Sequence, residues 1–197
     1  MRSDESSGRR PRRRTPRPLE RGRLERAALY YVERHAPSRA QLERYLTQKV
    51  ARERRAQGES APPKETTDEW IEAIIGRFER YGYVDDARYA ASKARTMRSR
   101  GDSARKIRAR LAEKGVRGGV VEDGLAEAGV DDRSAAARLA RRRRLGPFRR
   151  TPLPDDWEAR QKEQKRELGV LGRAGFPYGL AREVLDAERD EAEEWAG

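Results

Sequence analysis

By residue type, two pairs of adjacent carboxylates are best suited to chemistry: Asp85-Asp86 and Asp131-Asp132. Neighbouring carboxylates can hold a divalent metal or share acid–base work. Here each pair follows a glycine, in Gly82-Tyr83-Val84-Asp85-Asp86 and Gly129-Val130-Asp131-Asp132, and opens a stretch of helical periodicity. That context favours helix capping, in which an aspartate satisfies a free N–H and faces the positive end of the helix dipole. His35 is the only histidine and there is no cysteine. A zinc site would therefore lack its usual ligands, and no disulfide can form. No phosphate loop or nucleophile elbow occurs either. The residues read as a non-enzyme without metal or cofactor.

Anion recognition is the chemistry the composition does offer. The 197 residues carry 46 Lys and Arg, only seven of them lysine, against 34 Asp and Glu, giving a net charge of +12. A partner rich in negative charge follows: nucleic acid, an acidic protein surface or a membrane face. The candidate contacts are Arg88, Lys93, Arg95 and Arg98 on one helix and Arg105, Lys106, Arg108, Arg110 and Lys114 on and just after the next. Arg141, Arg142 and Arg144 end a third helix. A solvated arginine-rich surface is the competing reading. Residues 141–144 are consecutive, so they point around the helix and cannot all face one partner. Tyr31, Tyr45, Trp70, Phe78 and Tyr89 fall at core-like helical positions rather than on a stacking platform. Tyr81 and Tyr83 flank a junction glycine and are expected to staple neighbouring units.

The elements that position these residues are helices. Hydrophobic residues make up only 35% of the chain and charged residues 41%, too little apolar material for one compact core. An elongated array, in which each unit buries one stripe against its neighbours, needs less. The glycine–aspartate phrase recurs after about 46 residues, the size of a helical repeat. Three three-helix modules are expected: 23–83 with an inserted loop at about 56–66, 84–130, and 131–188 with a loop at about 146–155. Residues 1–22 read as a disordered basic arm, either a polyanion tether or a solubilising tail, and 189–197 as an acidic tail. The fold class is all-α, an elongated curved array of three tandem three-helix repeats.

Internal signals support the register. Ser38-x-x-Gln41 and Thr66-x-x-Glu69 read as capping boxes. Ser38-x-x-x-Leu42-x-x-x-Leu46 matches Ser103-x-x-x-Ile107-x-x-x-Leu111, and Gly115-Val116 matches Gly175-Phe176. Phe78 and Leu125 each sit four residues before the glycine that ends a module. No apolar run spans a bilayer and no signal-peptide core is present. A cytoplasmic monomer is expected.

The stretch Gly82-Tyr83-Val84-Asp85-Asp86-Ala87-Arg88-Tyr89-Ala90, followed by residues 103–116 and preceded by Ser38-Arg39-Ala40-Gln41-Leu42, resembles the RecX regulatory proteins. The resemblance spans roughly Leu24 to Glu188 and is strongest from Phe78 to Val116. It implies a curved array of three-helix repeats that binds the RecA recombinase and its nucleoprotein filament. Filament growth, ATP hydrolysis and strand exchange would be limited, tuning homologous recombination and the SOS response. The alternative is a general nucleic-acid-binding helical protein acting through its basic arm and faces. The chain departs from the family pattern in the arm, the insertion near Gln57–Lys64 and the loop Gly146–Pro154. Glu167 also stands where the repeat calls for an apolar counterpart of Ile107.

Overall fold

Apolar residues spaced three and four apart set the helices, and glycine or proline ends most of them. The computed structural model describes residues 18–129 and 131–197. Among these there are ten α-helices, two 3-10 turns and no strand. The all-α helical array is therefore present, with one helix more than the repeat pattern called for. Most of the expected basic arm lies outside the described residues. Its last residues are already structured: Leu19 is buried and the first helix starts at Arg21.

The first group is α1 (Arg21–His35), α2 (Arg39–Gln57) and α3 (Lys64–Arg80). Leu24, Leu42, Leu46, Ile74 and Ile75 are fully buried among them, each contributing about 1.5–3 kcal/mol. Ser38 forms the expected capping box with Gln41. The second expected box does not form. Pro63 stands at the N-cap of α3 and the helix begins at Lys64, which places Thr66 inside its first turn. The consecutive Pro62 and Pro63 already fix the extended entry that a capping threonine would otherwise supply.

The second group is α4 (Asp86–Ser99), α5 (Ala104–Glu113) and α6 (Gly119–Glu127), around Ala90, Ala94, Ile107, Leu111 and Val121. Alanines line α4 because α6 comes very close: a β-carbon on Gly124 would lie 3.0 Å from the backbone of Ala90 and Ala91. The third group is α7 (Asp132–Arg143), a 3-10 turn at Gly146–Phe148, α8 (Trp157–Arg173), α9 (Tyr178–Asp186) and α10 (Arg189–Ala196).

That tenth helix corrects the expected acidic tail. Its Ala192 and Ala196 are buried in the third core, and the Trp195 ring lies 5.2 Å from the Arg133 guanidinium. The acidic residues occupy its outer face, so the composition hid a short amphipathic helix.

Candidate partner-binding surface

The glycine–aspartate phrases build the joints that set the cationic helices in place. Gly82 and Gly129 adopt left-handed conformations, with φ of 71° and 67°, where a side chain would be strained. Asp85 and Asp131 cap α4 and α7 by accepting from the N–H groups of Arg88 and Ser134. The second aspartate of each phrase does something else. Asp86 Oδ1 accepts from the Arg39 N–H at 2.8 Å, and Asp132 Oδ1 from the Ala104 N–H at 2.9 Å. Each thus satisfies the first N–H of the middle helix in the preceding group, α2 or α5.

The same two helix starts rest on the ends of the middle helices that follow. Ser38 Oγ donates to the Lys114 carbonyl at 2.6 Å, and the Ser103 N–H donates to the Ala174 carbonyl at 3.0 Å. Both serines are fully buried. A β-carbon on Gly115 would overlap Ala40, and one on Gly175 would overlap Ser103. The N-terminus of α2 therefore abuts the C-terminal end of α5, and that of α5 abuts α8. Positive helix ends meet negative ones at both joints.

Tyr81 and Tyr83 do not staple these joints. They are 72% and 50% exposed, and Tyr83 packs its ring 5.4 Å from Phe78 within its own group.

On this frame the candidate cations separate by their partners. Arg98 is corrected from contact residue to joint residue: it is 9% exposed and its Nη1 lies 2.5 Å from Asp132 Oδ1. Arg95 pairs with Glu127 at 2.7 Å, Lys106 with Asp102 at 2.7 Å and Arg110 with Glu113 at 2.6 Å. Arg108 makes a two-pronged contact to Glu122, both bonds 2.8 Å. Hydrogen bonding to Arg108 holds the Glu122 carboxyl below the usual carboxylate range. Exposed pairs of this kind add little stability. Each carboxylate also cancels much of its neighbour's attraction for an anion.

A second set meets carbonyls and keeps its charge. Arg88 donates to Gly82 at 2.8 Å, Arg105 to Gly175 at 3.2 Å and Arg142 to Ser99 at 3.3 Å. These contacts cap helix C-termini. Lys93 lies 5.8 Å above the Tyr89 ring. Lys114, Arg141 and Arg144 have no ionic partner among the described residues, and both arginines are exposed.

Sequence reasoning missed the cross-joint roles of Ser38, Ser103, Asp86 and Asp132, which depend on contacts 28 to 76 residues apart. It also left Glu167 unexplained. That residue is 1% exposed, bonds Arg149 through both oxygens and accepts from the Gly146 N–H at 3.3 Å. A buried carboxylate here ties the inserted loop to α8. Among the described residues no group of three His, Asp or Glu is arranged to hold a metal, and no helix is long and apolar enough to cross a membrane.

Comparison with known proteins agrees with this architecture. The family described as RecX, second three-helix domain, matches residues 85–125. The regulatory protein RecX of Myxococcus xanthus is 37% identical over 186 residues, covering 93% of this chain and 94% of that one. Its counterpart in Thermobifida fusca is 35% identical over 162 residues, covering 78% of this chain and 82% of that protein. A crystal structure of a regulatory protein RecX, 22% identical, superposes with a TM-score of 0.55 and covers 84% of this chain and 70% of the other. The fold matches that structure, and near-full-length identity to the Myxococcus protein shows that the chain belongs to the RecX family of regulatory proteins.

Proposed function

We propose that the chain binds the RecA recombinase and its filament on DNA, and limits filament growth, ATP hydrolysis and strand exchange. It acts as a cytoplasmic monomer and as a regulator rather than a catalyst. The observation that carries this reading is the repeated joint, in which α2, α5 and α8 meet end to end through buried serines and cross-joint aspartates. A stack of like units suits a partner that is itself a repeating polymer. The paired carboxylates favour a non-catalytic role, since all four are engaged in caps and joints. Arg88, Lys93, Arg105 and Arg141 are the exposed cations proposed to meet acidic patches of the filament.

A pull-down of RecA by the tagged full chain tests this, with and without single-stranded DNA and ATP. Retention should be strongest with the assembled filament. No retention under any condition contradicts the proposal.

A further inference from the structure

A strongly cationic surface lies on the third group, where the chain inserts its Gly146–Pro154 loop. Two adjoining cavities, about 570 and 630 Å³, flank the loop and α8, and they share Arg149, Lys162 and Glu167 in their common wall. Seven cations and three carboxylates line the pair. All three carboxylates are already engaged: Glu167 by Arg149, Glu163 by Arg166, and Asp186 by Arg182. Arg144, Arg150, Lys162 and Lys165 remain, with no ionic partner among the described residues. Arg144, Arg150, Lys162 and Lys165 are all exposed. The second group is mixed: Arg95, Lys106, Arg108 and Arg110 each face a carboxylate, whereas Arg88 and Arg105 meet carbonyls and Lys93 a ring.

We infer that this double cavity is a binding site for the phosphodiester backbone of nucleic acid, with Arg144, Arg150, Lys162 and Lys165 as the phosphate contacts. Four cations without an ionic partner, at the end of α7, on the loop and on α8, suit a chain of evenly spaced negative charges better than a single anion. Arg149 and Arg166 keep donors on the same wall while their partner carboxylates hold them in place. Exposed Tyr178, which lines the second cavity, offers a ring face to a base. The site needs no contact with a recombinase, so it stands or falls separately from the proposed regulatory role.

The test uses the full chain and a fluorescein-labelled oligonucleotide, single-stranded or duplex, without recombinase. Arg150→Glu, Lys162→Glu and Lys165→Glu together should weaken binding roughly 10-fold or more at low salt. They should also flatten the log–log salt dependence by about 2 to 3 units, at about 0.7–0.9 per lost phosphate contact. Unchanged affinity and slope, in a variant of unchanged helicity, overturn the site. Acetylation of the wild-type chain gives a readout that does not depend on a folded variant. With only seven lysines in the chain, the oligonucleotide should shield Lys162 and Lys165. Shielding of Lys93 and Lys114 instead, or of none, overturns the assignment. So does shielding of Lys162 and Lys165 by RecA alone and not by the oligonucleotide, which makes the face a protein-docking surface.

Discussion

The Asp132 carboxylate holds the Arg98 guanidinium at 2.5 Å, across the joint between the second and third groups. The same oxygen accepts the first N–H of α5. Arg98 Nε is buried without a partner, so this guanidinium depends heavily on one carboxylate. Asp132→Ala should therefore destabilise the chain by about 2–4 kcal/mol, by leaving a buried charge and a helix N–H unpaired. Urea unfolding monitored by circular dichroism checks this. A loss under about 0.5 kcal/mol would mean that the pair does not hold the joint.

Two glycines let the middle helices meet. Gly115 and Gly175 have φ of 85° and 94°, and any β-carbon there would overlap the start of the middle helix in the preceding group. Gly82 has φ of 71° but open space around it. Gly82→Ala should cost about 1 kcal/mol, from backbone strain alone. Gly115→Ala and Gly175→Ala should each cost about 3 kcal/mol, because overpacking adds to strain. Equal losses at all three positions in thermal unfolding would contradict end-to-end contact.

Much of this was legible in the sequence. Ser38 and the pairs Asp85-Asp86 and Asp131-Asp132 declare themselves as cap positions because capping is local, decided within about four residues. The helical phase of α2 and α5 was equally plain, since Leu42, Leu46, Ile107 and Leu111 repeat at core spacing. What was not legible depends on distant partners. Arg98 looks like any surface arginine until Asp132, 34 residues on, is placed beside it. The helix after Glu188 was masked by its charge, although Ala192 and Ala196 four apart, beside Trp195, carried a faint signal of a buried stripe. Lys162 and Lys165 share a face of α8, but only the fold of the Gly146–Pro154 loop brings Arg144 and Arg150 toward them.

Glu167 replaces an apolar repeat position with a buried ion pair, and its energetics can be separated. Glu167→Ala should cost about 3 kcal/mol, by stranding Arg149 and freeing the loop. Glu167→Leu combined with Arg149→Leu should recover part of that loss, because no charge is stranded, while the buried Gly146 N–H still lacks its acceptor. Chemical denaturation of the two variants decides it. A double variant no more stable than the single one would show that a stranded Arg149 charge is not what destabilises the single variant.

Acid should loosen the surface pairs in a defined direction. Hydrogen bonding to Arg108 lowers the Glu122 carboxyl from its ordinary 4.5, and Arg166 does the same to Glu163. A carboxyl lowered on folding adds stability that is complete above the unfolded value and is lost as pH falls through the folded one. Stability should thus decline below about pH 4.5, and Glu122→Gln with Glu163→Gln should make that decline shallower. Melting temperatures across the acid range test this, and an unchanged slope would contradict it.

The regulatory role is tested most directly by titrating the full chain into RecA hydrolysing ATP on single-stranded DNA. The proposed filament contact requires hydrolysis to fall as the chain approaches stoichiometry with RecA, and strand exchange to fall with it. Unchanged hydrolysis and exchange at stoichiometric, folded protein would contradict it.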